Sequence, residues 1–164
     1  MMPIARIERP WNLVGDLKVK GLEKAFGMNF PKDYVDFLVQ QNGGALKPEH
    51  SYTMSFNGRP MLGGIRILYG IEAESWGDIY DAIETFHLHE RRMPEFLLPI
   101  GSDSGDNQIC IILDKKRFGE IVHWEMESEV GYDKENKKWL KGPLDNCHFI
   151  AKSFSEFLAM LKSD

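Results

Sequence analysis

"FPKDYVDFLVQQNGG", residues 30–44, is the stretch that decides how this chain folds. Pro31 suits a first helical turn, where a missing N–H costs nothing. Asp33 lies near the positive end of the helix dipole. Tyr34, Phe37, Leu38 and Gln41 fall at i, i+3, i+4 and i+7, one face of a 3.6-residue period. Asn42, Gly43 and Gly44 then supply three residues that tolerate positive φ, which a helix needs to turn its C-terminus off its own axis. The spacing predicts a short amphipathic helix whose abrupt end fixes where the next segment enters a sheet.

On the N-terminal side, Asp16 is placed to cap a helix over residues 17–26, with Val19, Leu22 and Phe26 on one face and Gly27 as its stop. Residues 1–14, broken by Pro3 and Pro10, read as an irregular lead-in. On the C-terminal side the period changes. "SYTMSF" and "GIRILYG" are strand-like and are separated by the turn dipeptide Asn57-Gly58. "SWGDIYDAIETFHLHER", residues 75–91, reads as a third helix. Ser75 and Asp78 form a variant capping box, and Trp76, Ile79, Tyr80, Ile83, Phe86 and His87 form its stripe. Pro94 and Pro99 bracket "EFLL". A polar turn then leads to a strand over 108–113, a loop "DKKRFG" and a strand over 120–127, an antiparallel hairpin. In that second strand Val122, Trp124 and Met126 make an apolar face, and Ile121, His123, Glu125 and Glu127 a mostly polar one. "GYDKENKKWLKGP" is a charged loop. "SFSEFLAMLK" closes the chain as a helix, with Ser153 and Glu156 as capping box and Phe154, Phe157, Leu158 and Leu161 as stripe. This order of elements indicates one α+β domain over residues 1–164, with a central, mostly antiparallel sheet and helices packed around it.

The bulk numbers fit a globular domain: 164 residues, 43% hydrophobic and 27% charged. A formal net charge of −5 argues against a general nucleic-acid binder and leaves room for a basic protein partner. No window approaches the roughly 20 apolar residues of a membrane span. No leader-like apolar run opens the chain, so a cytoplasmic protein is expected. Cys110 and Cys147 lie in apolar contexts without a CxxC neighbour, as two buried free thiols would.

Motifs that carry chemistry are missing. "GSDSG", residues 101–105, has Asp103 where a nucleophile elbow needs Ser, and it reads as a tight polar turn. There is no P-loop and no G-x-G-x-x-G. Among the five histidines, His87 and His89 face about 200° apart on a helix, and Glu84 with His87 makes only a lone i, i+3 pair. No catalytic residue, metal or cofactor is expected. The acids are more suggestive: Glu72, Glu74, Asp78 and Asp81 cluster at the start of the third helix, and Glu125, Glu127 and Glu129 alternate along one strand. Such a face is either simply solvated or offered to a basic partner, and Glu72, Glu74, Asp78, Glu125 and Glu127 are the candidate partner-binding residues. Two other readings stay open: an enzyme site assembled from His123, Asp103 and Glu125, and a regulatory scaffold with a peptide partner.

"LEKAFGMNFPKDYVDFLVQQNGG" resembles the N-terminal signature of the SUKH superfamily, the Smi/Knr-like domain, through Phe30, Pro31, Tyr34, Phe37, Leu38, Asn42, Gly43 and Gly44. "LLPIGSDSGDNQICIILD" with "GEIVHWEME" is similar to its second signature, through Gly101, Gly105, Asp106 and Gly119. The closing "SFSEFLAML" matches its last helix. The resemblance spans roughly residues 15–162, and the charged loop around 133–141 departs from it. It implies an α+β fold. It also implies a role: bacterial members look like immunity proteins that neutralise polymorphic toxins, often nucleases or deaminases, while fungal members are cell-wall and signalling regulators. The implied partner is a cognate toxin protein encoded next door, with no direct nucleic-acid and no membrane contact. The matched residues are mainly structural and carry no binding site over.

Overall fold

The computed structural model describes residues 7–163. The strands are β1 (Ile7–Pro10), β2 (Gly44–Phe56), β3 (Arg59–Leu68), β4 (Leu97–Ser102), β5 (Gln108–Ile112), β6 (Ile121–Trp124), β7 (Tyr132–Asp133), β8 (Lys138–Trp139) and β9 (Cys147–Ala151). The helices are α1 (Asp16–Phe26), α2 (Lys32–Gln40), α3 (Ile79–Ile83) and α4 (Phe154–Met160). Among the described residues seven strands form one sheet in the order β1-β2-β3-β4-β5-β6-β9. Every neighbouring pair is antiparallel. The fold is α+β.

The period-two alternation of the central strands builds two cores. Ile109, Ile111 and Ile121 belong to the larger one, with Val19 and Leu22 of α1, Tyr34, Phe37 and Leu38 of α2, and Phe154 and Phe157 of α4. Their neighbours Cys110, Ile112, Val122 and Trp124 turn the other way and pack with Phe86, Met93 and Leu97. Burying each of these large side chains contributes about 1.5–3 kcal/mol. The expected polar face of β6 is therefore corrected: Ile121 and His123 are buried like Val122 and Trp124. Glu125, Glu127 and Glu129 lie beyond the strand, which ends at Trp124.

Helix ends largely follow the sequence. Gly27 closes α1 in the left-handed region, and the Ser153 hydroxyl accepts the Glu156 N–H at the start of α4. Asp16, however, is the first residue of α1 rather than its cap; Gly15 holds that position, and Asp16 pairs with Lys20 instead. The third helix differs most. Ser75–Gly77 is a 3-10 turn, and Asp78 caps α3 by accepting from the Tyr80 and Asp81 N–H groups. Glu84–His89 continues as a π-helix. The helix cannot start at Ser75 because Asp78 has extended backbone (φ −85°, ψ 128°). The lead-in is corrected as well, since Ile7–Pro10 is an edge strand on β2; Pro3 lies outside the described residues. Within the charged loop, β7 and β8 pair as a small separate ladder.

The Asn-Gly-Gly stop does more than end α2. Asn42 sits at φ 56° and is fully buried. Its amide nitrogen donates to the carbonyls of Asn12 and Ile71, both at 2.8 Å, and its oxygen accepts the Ile71 N–H at 2.8 Å. Gly43, at φ 78°, passes so close to β3 that a Cβ there would lie 2.5 Å from the Leu68 carbonyl oxygen. The α2 terminus is thereby fastened to residues 68–71, the root of the loop that leads to α3.

Candidate functional site

The loop from Gly70 to Asp78 is held rigid from inside. The Gly70 N–H donates to the Gly77 carbonyl (2.9 Å), and the Ile79 N–H to the Gly70 carbonyl (2.8 Å). The Asp78 carboxylate accepts from Ala73, Tyr80 and Asp81. Buried Trp11 donates its indole N–H to the Leu68 carbonyl (3.1 Å), and its ring lies against Gly77, where a Cβ would meet it at 2.4 Å. Trp76 stacks edge-on against Trp11 at 5.1 Å yet remains 45% exposed. An indole fixed on one edge and open on the other loses little conformational entropy when a partner covers it.

Trp76 forms one wall of a hollow of about 290 Å³, whose acids are Asp78, the cap of α3, Asp81 from α3 and Asp106 from the β4–β5 turn. The one lining cation among the described residues, Arg92, is already committed. The guanidinium makes a forked pair with Glu129 at 2.8 and 3.0 Å and lies 4.7 Å from the centre of the Phe86 ring. Glu129 accordingly raises the Arg92 pKa.

A second hollow, of about 480 Å³, is lined by Glu49, Asp103 and Glu125 together with His50 and His123. Among the described residues no lysine or arginine lines it. Two glycines of β3 give it room: a Cβ on Gly63 would strike the Tyr52 ring, and one on Gly64 the Glu49 carboxylate. Tyr52 Oη and His123 Nδ1 are 2.8 Å apart. Burial lowers the His123 pKa, which favours the neutral ring, against an opposing pull from Asp103. Consecutive residues line the two hollows, Asp106 and Asn107 in one place and Glu125 and Met126 in another. The β4–β5 turn and the segment after β6 thus make a ridge between them, tied by the Met126 N–H to Asn107 Oδ1 at 2.9 Å.

Of the residues singled out by sequence, Asp78 lines the first hollow and Glu125 the second. Glu74 and Glu127 are exposed. Glu72 is exposed and paired with Lys18 at 2.9 Å. Asp81, from the same acidic cluster, joins Asp78 in the first hollow, whereas Asp106 and Glu49 escape sequence reading as surface acids because they come from a separate turn and strand. The alternative set Asp103, His123 and Glu125 does converge on one hollow. Asp103, however, uses both oxygens on its own turn, accepting from Gly105 N, Asn107 N and Asn107 Nδ2, and does not orient the imidazole. Glu84 pairs with His89 rather than His87, whose Nε2 lies 2.7 Å from the Leu97 carbonyl. Among the described residues no three His, Cys, Asp or Glu side chains stand close enough to hold a metal ion. Cys110 and Cys147 are free; burial pushes Cys147 up to about 12 and Cys110 well above the usual thiol range, so neither is an activated nucleophile. No helix among the described residues is long and apolar enough to cross a membrane.

These features define an α+β domain with a rigid sheet clothed on both faces and a preformed acidic surface beside an exposed indole. The chain belongs to the SMI1 / KNR4 family (SUKH-1), whose profile matches residues 15–160. It is also similar to the SPbeta prophage-derived uncharacterized protein YokK of Bacillus subtilis (strain 168). The two are 28% identical over 158 residues, covering 88% of this chain and 72% of that protein.

Proposed function

We propose that this chain is an immunity protein, a non-enzymatic binder that neutralises a toxin protein by stoichiometric contact in the cytoplasm. Family membership supports this reading, since SUKH domains are often immunity proteins. The observation that carries it is the pair of acidic hollows on either side of one ridge, with no uncommitted lysine or arginine lining either among the described residues. A basic toxin, such as a nuclease, has the complementary charge. Its encounter with this surface would be accelerated by long-range attraction, and Trp76 would anchor the docked complex. Glu72, Glu74, Asp78, Glu125 and Glu127 contribute to the attracting field in this proposal. The test is co-expression with the product of the adjacent gene. Rescue from toxicity together with co-purification in a fixed ratio is the expected result; toxicity undiminished by this chain, with no complex recovered, would refute the reading.

A further inference from the structure

We propose that the second hollow seats the guanidinium of an arginine side chain carried by the protein partner. The proposal rests on the binding role above and adds the chemistry of one contact. His50 supplies the observation that points to a ligand. Its Nδ1 lies 2.9 Å from the Pro48 carbonyl, which can only accept, so Nδ1 carries a hydrogen, and in the tautomer with that single hydrogen Nε2 is a bare acceptor. The residue is wholly buried, forms part of the wall of the hollow, and its Nε2 has no hydrogen-bond partner among the described residues. A buried acceptor left without a donor costs about 1–3 kcal/mol, so a ligand that brings N–H groups relieves a real deficit. His123, 5% exposed, adds a second ring whose Nδ1 is already taken by Tyr52.

The carboxylates decide the charge of the ligand. Glu49 lies against Gly64, Glu125 accepts the Ser128 hydroxyl with one oxygen, and Asp103 closes its own turn beside them. With acids, imidazoles and, among the described residues, no lining cation, the hollow favours a cation that carries several N–H donors. A bare metal ion is not favoured, since among the described residues no three His, Cys, Asp or Glu side chains stand close enough to ligate one. A planar guanidinium offers five donors in a fixed fork and is less strongly hydrated than an ammonium, so it can meet carboxylate and imidazole acceptors together.

The full chain, with 15N-labelled histidine, is titrated with N-acetyl-arginine amide while the imidazole nitrogens are followed by NMR. The expected result is a saturable millimolar response at His50 and His123. N-acetyl-citrulline amide, the uncharged isostere, should give none. Glu49→Gln combined with Glu125→Gln should weaken the arginine response at least about tenfold. Asp106→Asn, in the first hollow, should leave it unchanged. No saturable response in the unmodified chain, or an equal response to citrulline amide, overturns the proposal, and an equal response to N-acetyl-lysine amide overturns the choice of guanidinium. Because the readout uses the protein alone, it can fail while co-expression still protects, and it can succeed where protection fails, so the two readings fall separately.

Discussion

The side chain of Asn42 pairs with the backbone of Ile71 in both directions, as one strand residue pairs with another: amide nitrogen to carbonyl and N–H to amide oxygen, each at 2.8 Å. The left-handed backbone at Asn42 aims that amide at the root of the Gly70–Asp78 loop, which carries Trp76 and Asp78. Asn42→Ala loses three hydrogen bonds, two of them buried, and strains a positive φ, and should destabilise the fold by about 2–4 kcal/mol. Asn42→Gly keeps the backbone and loses only the bonds, so it should cost less. Urea unfolding of both variants, with hydrogen exchange at the Ile71 amide, checks this. An Ile71 amide equally protected in the alanine variant would show that the pairing does not hold the loop.

This relationship also marks where the sequence stopped being legible. The helix stop at Asn42-Gly43-Gly44 could be read, because positive φ favours those residue types locally. The bonds from Asn42 to Asn12 and Ile71 could not, because they cross about 30 residues in each direction and leave no period behind. α2, α4, the Asn57-Gly58 turn and the β5–β6 hairpin were legible for the same local reasons. β4 was hidden by Pro99 and Gly101, which sit in a buried strand only because its ladder with β5 shifts register between them. The break at Asp78 was hidden because Trp11, far away in sequence, occupies the space beside Gly77. The two hollows were illegible almost entirely: their acids come from β2, the β4–β5 turn, α3 and the segment after β6, and only the fold brings them to one ridge.

Tyr34 is fully buried between the rings of Phe30, Phe37 and Phe154, and its hydroxyl has no hydrogen-bond partner among the described residues. Burial drives its pKa far above the usual tyrosine value. Tyr34→Phe removes the orphaned group and leaves the ring packing in place. It should be neutral or stabilising by about 1 kcal/mol, against the usual cost of altering a core residue. Thermal unfolding measures this directly. A loss of more than about 1 kcal/mol would mean that the hydroxyl has a partner in solution.

His87 and His123 both have pKa values lowered chiefly by burial, while an unfolded histidine keeps the usual 6.5. The unfolded chain therefore takes up protons first as the medium is acidified. Stability from these two rings is complete above pH 6.5 and declines as pH falls below it. Each site contributes at most about 1.4 kcal/mol per pH unit. Urea midpoints measured at about pH 7.5 and about pH 5.5 should drop on acidification, and His87→Gln should make the drop smaller. Midpoints that stay level or rise would contradict this account of both rings.

Trp76 and the acids separate affinity from stability. The Trp76 indole is half open to solvent and contributes little to either core, so Trp76→Ala should cost the fold under about 1 kcal/mol. As an anchor it should cost partner affinity about 2 kcal/mol or more, roughly thirtyfold, seen mainly as faster dissociation. Reversal of Glu72, Glu74, Glu125 or Glu127 to Lys should act the other way round, slowing association, with an effect that shrinks as salt is raised. Asp78 is a special case because its carboxylate caps α3. Its reversal should cost about 1 kcal/mol of stability as well, so its binding must be read beside a melting curve. Association and dissociation rates at two salt concentrations distinguish the roles. Unchanged affinity in Trp76→Ala and in all five charge reversals would move the partner's footprint off this surface altogether.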